Sequence, residues 1–189
     1  MWNPKNPSVA NVEKLKRKID KLRKGTIVRL GGMTDCFQPI ELDNRITYKI
    51  IKYLNKRRIG YLIVTKSSIV ANDEYLKIYD KDLAHFQITV TTTDDSKSVK
   101  YEKATVPSKR IEAIEKLYKN GFDVQVRLSP FIYEYIDFDI LNNIKCNKIL
   151  IEFLRVNHWI KQWFDIDYSK YTVKHAGYEH LPLSIKKQY

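Results

Sequence analysis

The chain of 189 residues has only two cysteines, Cys36 and Cys146, and no CxxC pair or three-cysteine cluster occurs in it. This scarcity argues against a disulfide framework and favours a reducing compartment. The sequence also lacks an apolar run of about 18 residues, which a membrane-spanning helix needs, and the apolar core of a signal peptide. We therefore predict a soluble, cytoplasmic protein with no membrane partner.

Acidic residues are also few relative to basic ones. Lys and Arg total 34 against 22 Asp and Glu, which gives a formal net charge of +12. Such a balance favours anionic partners such as nucleic acids. The charge is dispersed, and the only dense basic run is Lys14 to Lys24. A solvated helix face is the favoured interpretation of that run, and a nucleic-acid patch is the alternative.

Hydrophobic periodicity alternates between helix and strand along the chain. Val12, Leu15 and Ile19 recur at helical spacing before Gly25, which predicts a helix over 8–24, and the short run 26–30 that follows is rich in strand formers. The same pattern predicts further helices near 44–58, 72–80, 107–120 and 137–145, and strands at 61–66, 86–92, 123–129 and 148–154.

Strands that alternate with helices and are almost continuously apolar predict an α/β fold with a parallel sheet. The sheet is either an open doubly wound sheet or a barrel, and the chain is shorter than the roughly 250 residues of a complete eight-unit barrel. We predict a single domain, with barrel units over about 8–157 and a C-terminal extension over 158–189. The helix at 8–24 has no predicted strand before it, so the strand at 26–30 is predicted to have an unpaired edge.

The segments that follow the predicted strands are polar. Because active sites of such folds collect at the carboxyl ends of the strands, these segments predict a ligand-binding rim. Turn formers alone could produce much of this polarity, but turns do not require the three cations Lys66, Arg127 and Arg155. The segments are 31–36, 65–68, 91–95, 127–130 and 155–157.

At these residues the sequence resembles the radical S-adenosylmethionine (radical SAM) superfamily, in its branch related to spore photoproduct lyase. No single motif carries the resemblance, which depends on the order and spacing of several segments across nearly the whole chain. These segments are Trp2-Asn3-Pro4, 31–41, 64–67, Tyr101-Glu102, Arg110-Ile111, 126–130, 153–155 and 177–183.

The resemblance implies a partial parallel (βα) barrel in which a CxxxCxxC loop after the first strand holds a 4Fe-4S cluster. S-adenosylmethionine binds the fourth iron and is cleaved reductively to a 5′-deoxyadenosyl radical, a reaction that a lyase of this branch would use. The family places the loop shortly before the Trp2-Asn3-Pro4 segment, and the loop is absent from this sequence. We therefore expect a radical SAM-like domain that lacks its first strand and cluster loop and is inactive alone.

The resemblance also implies a set of cofactor-binding residues. The loop after the second family strand, with Gly31, Gly32, Met33 and Asp35, would contact the methionyl amino group, and Lys66 would face the carboxylate. Thr89 stands where the branch usually has a serine near the ribose. Glu102 would hydrogen-bond either S-adenosylmethionine or Arg127. Arg127 and Ser129 would surround the sulfonium and carboxylate, and Ser67, Thr91 and Arg155 complete the predicted rim.

Three other features leave alternatives open. Cys36, in the predicted site loop, is either a hydrogen-atom donor or reactive thiol, or a small packed residue. His175 and His180 lie five positions apart and His158 is distant, so no metal site is predicted. The C-terminal aromatic residues either stack nucleic-acid bases between lysines or, as we favour, pack over the barrel. They are Trp159, Trp163, Phe164, Tyr168 and Tyr171.

Three functions remain in competition. The first is the cluster-free portion of a radical SAM enzyme, whose partner is a missing N-terminal half. The second is a non-catalytic module that binds nucleic acid through its basic surface. The third is an assembly subunit that forms a homo-oligomer through the free edge of the strand at 26–30.

Overall fold

Helices and strands alternate through most of the chain. A computed structural model describes residues 9–189, so the Trp2-Asn3-Pro4 segment lies outside the described residues. The strands are Ile27–Leu30 (β1), Gly60–Thr65 (β2), Ala84–Thr89 (β3), Asp123–Phe131 (β4), Lys148–Phe153 (β5), Val173–His175 (β6) and Tyr178–His180 (β7). The helices are Val12–Ile19 (α1), Glu41–Asn44 (α2), Ile46–Arg57 (α3), Asp73–Leu76 (α4), Asp95–Ser98 (α5), Pro107–Lys119 (α6), Phe138–Asn143 (α7) and Leu183–Lys186 (α8).

The first five strands form one parallel sheet in the order β1-β2-β3-β4-β5. Right-handed crossovers that always advance in the same direction place their helices on one face of the sheet, and the strand order has no reversal point. This is barrel-type winding, so the α/β fold class is confirmed and the doubly wound alternative is wrong. Within residues 9–189, β1 pairs only with β2. The earlier strand and the cluster loop remain predictions.

The two faces of this sheet differ in polarity. One face packs against α3 and α6, and the strand residues Ile63, Phe86 and Val126 on it are fully buried. The opposite face carries polar pairs between neighbouring strands. His85 Nδ1 lies 2.7 Å from Asp123 Oδ2, and the amides of Gln87 and Gln125 are joined at 3.2 Å. Such a polar face suits a concave surface that is open to water or to a ligand.

Most predicted elements lie within a few residues of their observed positions, and one clear difference is at 72–80. There the helix spans only Asp73–Leu76, preceded by a 3₁₀ turn at Ser68–Ala71. The Tyr79 hydroxyl donates to the Val70 carbonyl, which folds the chain back before it enters β3. The predicted helix at 8–24 is also shorter, since α1 ends at Ile19 and a turn leads to β1.

The C-terminal residues surround a second, smaller core. A backbone bridge joins Val156 to Glu179, and the antiparallel hairpin of β6 and β7 follows β5 in the chain. Phe153 and Tyr189 contact both the sheet core and this smaller one. Among residues 9–189, no helix combines the length and apolar character that crossing a bilayer requires.

Glu41 stabilises the start of α3. Its buried carboxylate accepts hydrogen bonds from the backbone N–H groups of Thr47 and Tyr48, both at 2.9 Å, and from the Tyr75 hydroxyl at 2.7 Å. Burial and the Glu41 carboxylate raise the pKa of Tyr75 well above its ordinary value, so the phenol remains a donor. The Glu41 carboxylate thus supplies acceptors for N–H groups of the first turn of α3, which have no partner within the helix.

We expect Glu41→Gln to lower the free energy of unfolding by about 1 to 3 kcal/mol, because the amide nitrogen cannot accept and one buried donor loses its partner. Urea unfolding followed by circular dichroism measures the change. Asp43→Asn, at an exposed position of α2, is the matched control and should alter stability by less than about 0.5 kcal/mol. Equal effects of the two substitutions would contradict the assignment.

Candidate functional site

The predicted rim residues lie at one edge of the sheet. Because the strands are parallel, their carboxyl ends and the following loops share that edge. The loop after β1 carries residues 31–36, Lys66 follows β2, and Thr89 ends β3. Arg127 and Ser129 lie in β4, and Arg155 follows β5. The predicted residues therefore lie along the carboxyl edge of the sheet, as parallel strands require, and their roles toward a ligand remain predictions.

Asp35 has a structural role in the loop after β1. Its carboxylate accepts from the Thr65 hydroxyl at 2.7 Å and 2.8 Å, from the Lys66 backbone N–H at 2.7 Å and from the Phe37 N–H at 2.9 Å. These bonds use both carboxylate oxygens and attach the loop to the end of β2. The side chain thus positions the loop, and the backbone of the loop is what the rim presents.

Gly31 allows the loop to approach β2 closely. Its φ is +86°, and a Cβ at this position would lie 2.0 Å from the carbonyl oxygen of Val64. Gly32 has open space around it, and Met33 is 99% exposed at the tip of the loop. The two glycines therefore differ: the first is required by the backbone, and the second leaves the surface of the loop accessible.

A charged network lies beside this loop. Glu102 is almost buried and accepts from Lys66 Nζ at 2.5 Å, from the Thr91 hydroxyl at 3.0 Å and from Arg110 Nη2. The Arg110 side chain is completely buried and also donates from Nη1 to the Thr89 carbonyl at 3.0 Å. Arg110 thus fixes Glu102, and Glu102 fixes the ammonium group of Lys66. The Lys66 side chain as a whole is 35% exposed.

The electrostatics of the network keep Glu102 ionised. Burial raises the pKa of Glu102, but the charges and hydrogen bonds of Lys66 and Arg110 outweigh burial and hold that pKa below its ordinary value. A carboxylate between two cations leaves one net positive charge in the network. That charge faces the rim at Lys66, where an anionic ligand group could bind.

A second ion pair lies on the polar face of the sheet. Arg127 donates to Glu152 from Nε at 3.1 Å and from Nη2 at 2.6 Å, and the Ser129 hydroxyl donates to the same carboxylate at 2.9 Å. The Arg127 hydrogen bonds, with Ser129, lower the pKa of Glu152. A hydrogen bond between Glu102 and Arg127 is therefore not formed: each residue has a different partner.

The predicted hydroxyl-bearing residues are mostly buried. Thr89 and Thr91 are each 2% exposed. Ser67, also buried, accepts from the Ile69 N–H through its hydroxyl and begins the 3₁₀ turn. Arg155 is exposed and lies over the ring of Tyr178 at 5.4 Å. Their predicted roles toward a cofactor remain predictions.

Cys36 packs beside the sheet core, and the Thr47 hydroxyl donates to its backbone carbonyl at 2.6 Å. Burial and the neighbouring Asp35 raise the pKa of the Cys36 thiol well above its ordinary value. The group is therefore a neutral thiol, which disfavours a thiolate nucleophile. The interpretation as a packed residue is favoured, and a role as hydrogen-atom donor remains a prediction.

The described residues do not fit an iron–sulfur cluster. Cys36 lies at the carboxyl edge of the sheet, whereas Cys146 precedes β5 and lies near the amino edge. Nowhere in residues 9–189 do three or more His, Cys, Asp or Glu side chains converge as metal ligands. We therefore derive no chemical step through a cluster.

The C-terminal aromatic residues differ in burial. Phe164 and Tyr171 are buried in the smaller core, where Tyr101 and Tyr135 contact the Phe164 ring. Trp159 and Trp163 are instead 64% and 48% exposed. The predicted packing describes the first pair and not the second.

Sequence reasoning missed two residues of the site, Arg110 and Glu152. Arg110 is in phase with the apolar stripe of α6, since Ala113, Ile114 and Leu117 follow it by three, four and seven positions and are buried with it. A cation on the buried stripe of a helix requires a buried acceptor, and that signal could have identified it. Glu152 interrupts an otherwise apolar strand, which is a weaker signal.

Comparison with known proteins supports the fold. No protein-family model matches the chain. The uncharacterized protein MJ0683 of Methanocaldococcus jannaschii is 30% identical over 161 residues, which cover 79% of this chain and 61% of that protein. The chain thus spans about three fifths of that relative's length.

Among solved structures, a spore photoproduct lyase variant with dinucleoside spore photoproduct matches 94% of this chain and 60% of its own, with a TM-score of 0.63 and 16% identity. Another variant, with bound AdoMet (S-adenosylmethionine) and the same dinucleoside, matches 94% of this chain and 59% of its own, with a TM-score of 0.63 and 14% identity. These matches confirm the predicted resemblance for the fold alone, which the chain shares with spore photoproduct lyase.

Proposed function

We propose that this chain binds S-adenosylmethionine at the carboxyl edge of its parallel sheet, as the cofactor-binding portion of a radical SAM enzyme. The observation that carries the proposal is the Lys66 ammonium group, held at the rim by Glu102 and the buried Arg110. The shared fold with spore photoproduct lyase, one structure of which contains bound AdoMet, supports the same assignment.

The donor set of the rim fits the charges of the cofactor. The methionyl end of S-adenosylmethionine carries a carboxylate and an ammonium group, and the adjacent sulfur is a cation. Lys66 would bind the carboxylate as a point charge. Exposed backbone carbonyls of the loop fixed by Asp35 would accept from the ammonium group. Glu152, paired with Arg127 and bonded by Ser129, would offer carboxylate oxygens to the sulfonium from an ion pair that has no net charge.

Bound S-adenosylmethionine supplies an electrophilic sulfonium centre, whose reductive cleavage needs one electron from a cluster. The described residues offer no ligand set for that cluster. The proposal therefore assigns binding and orientation to this chain and leaves the cluster cysteines to a separate polypeptide or to sequence outside these 189 residues. Without them we expect binding without cleavage.

We expect Lys66→Met to weaken S-adenosylmethionine binding by about 10- to 100-fold, because a hydrogen bond between two charged groups is worth about 1.5 to 3 kcal/mol. Isothermal titration calorimetry of the 189-residue chain measures the dissociation constant. Binding of 5′-methylthioadenosine, which lacks the amino-acid group, should change by less than about threefold, since Lys66 is assigned only to the carboxylate.

Lys109→Met is the matched control, because Lys109 is exposed on α6 and pairs only with Glu112. It should leave both affinities unchanged. If Lys66→Met weakens the binding of S-adenosylmethionine and of 5′-methylthioadenosine equally, a role of Lys66 specific to the carboxylate is contradicted. Failure of the unaltered chain to bind S-adenosylmethionine at millimolar concentration would remove the proposed function itself.

A further inference from the structure

A basic groove lies between α1 and α3, on the side of the helical layer that faces away from the sheet. Helix α3 buries Ile50, Ile51 and Leu54 toward the core, so its opposite side forms one wall. The groove encloses about 690 Å³. Tyr48 and Tyr53 lie in it, Lys16 contributes from α1, and a row of three lysines contributes from α3. It is separate from the rim and has no part in the proposed function.

The row consists of Lys49, Lys52 and Lys56. Their spacing of three and four positions places them on one face of α3, over about 10 Å along the helix axis. All three are exposed, and among residues 9–189 none of them forms an ion pair. Lys16, on the opposite wall, pairs with Glu13 at 2.8 Å. Asp43 is the other carboxylate in the lining, so cations predominate in the groove.

The groove combines these cations with aromatic rings. The Arg45 guanidinium lies 4.2 Å from the centre of the Tyr48 ring, and Lys52 Nζ lies 5.8 Å from it. Lys16 Nζ lies 5.6 Å from the centre of the Tyr53 ring. Positive side chains along a channel with aromatic rings are the arrangement that binds single-stranded nucleic acid without sequence preference.

Other occupants fit less well. A single phosphate needs donors that converge on one point, whereas these lysines form a row. A membrane surface would require apolar side chains that insert beside the charges, and Val12 is the only aliphatic residue that the described part of the chain contributes to the lining. An acidic peptide would match the charge but would not use the tyrosine rings. A chain with phosphates along one side and bases along the other matches both features.

We propose that the groove between α1 and α3 binds a single strand of nucleic acid, with Lys49, Lys52 and Lys56 along its phosphates and the tyrosines beside its bases. The test is fluorescence anisotropy of labelled oligo(dT) of about 20 nucleotides, titrated with the full chain at several salt concentrations. We expect the triple variant K49A/K52A/K56A to bind at least about tenfold more weakly at low salt. The slope of log affinity against log salt concentration should also be smaller in magnitude by about 2 in this variant. Each of the three lost phosphate contacts contributes about 0.7 to that slope for a single strand.

The matched control removes three lysines elsewhere. Lys100, Lys119 and Lys187 are exposed and distant in sequence from the groove, so K100A/K119A/K187A has the same net charge and should weaken binding by less than threefold. Equal weakening by both variants, or equally tight binding of poly-glutamate to the unaltered chain, would overturn the proposal. Thermal unfolding verifies that both variants fold. Unchanged S-adenosylmethionine binding by K49A/K52A/K56A separates this result from the proposed function.

Discussion

Replacing Arg110 by methionine is expected to lower the free energy of unfolding by about 3 to 5 kcal/mol, because the Glu102 carboxylate loses its fully buried cationic partner. The guanidinium is 0% exposed and also donates to the carbonyl oxygens of Thr89 and Thr105. Urea unfolding followed by circular dichroism measures the loss. A fully unfolded R110M chain agrees with the prediction, and a loss below about 1 kcal/mol contradicts it.

Two further variants separate the charge effect from simple loss of packing. The double variant R110M/E102Q also removes the carboxylate charge, which in R110M retains only Lys66 as a cationic partner among the described residues, and should recover at least about 1 kcal/mol relative to R110M, because the two residues are directly coupled. Arg127→Met breaks an Arg–Glu pair in which Glu152 is 48% exposed. It should therefore cost only about 1 kcal/mol or less. If R110M/E102Q is no more stable than R110M, the buried charge of Glu102 is not the cause.

The loss caused by R110M should also depend on pH. The pKa of Glu102 is lowered in the folded protein, so its ionised form contributes stability above the unfolded carboxyl pKa of about 4.3 and loses that contribution as pH falls through the folded value. R110M removes one of the two cations that lower this pKa. The difference in unfolding free energy between R110M and the unaltered chain should therefore be largest near pH 7 and shrink below about pH 4.

The fold could be predicted because its signals are local. Each strand from β2 to β4 is a short run rich in β-branched and aromatic residues between turn formers, and α6 is bounded by Pro107 at its start and Gly121 just after its end. Polar side chains lie at or within a few residues of the carboxyl ends of the first five strands, so the edge that carries the predicted rim could also be predicted. These inferences required only periodicity and the direction common to parallel strands.

The partners within the site could not be predicted in the same way. Asp35 was predicted to contact a ligand, yet it binds the end of β2, thirty positions further along the chain. The predicted Glu102–Arg127 hydrogen bond is not formed, because Glu102 binds Arg110, and the contact of Glu102 with the cofactor remains a prediction. A carboxylate takes whichever donors tertiary packing places beside it. Side-chain pairing therefore depends on distances between distant segments, which spacing along the sequence does not contain.

The adjacent glycines Gly31 and Gly32 have different roles, which sequence alone could not distinguish. Gly31→Ala is expected to lower the free energy of unfolding by at least about 3 kcal/mol, or to displace the loop after β1. The left-handed φ of +86° alone costs a residue with a Cβ about 1 to 2 kcal/mol. The new methyl group would also meet the Val64 carbonyl oxygen at 2.0 Å. That oxygen belongs to the backbone of β2 and cannot rotate away.

Gly32→Ala supplies the matched control, because no atom lies within 4 Å of a Cβ built there and its φ is not in the left-handed range. It should change stability by less than about 0.5 kcal/mol. Urea unfolding measures both variants, and calorimetry with S-adenosylmethionine reports on the loop. If Gly31→Ala folds, it should bind at least about tenfold more weakly than Gly32→Ala, since the displaced backbone can no longer accept from the methionyl ammonium group. Equal stabilities for the two variants would mean that the loop does not approach β2 as closely as the structure shows, and the assignment of its backbone to the cofactor would fail with it.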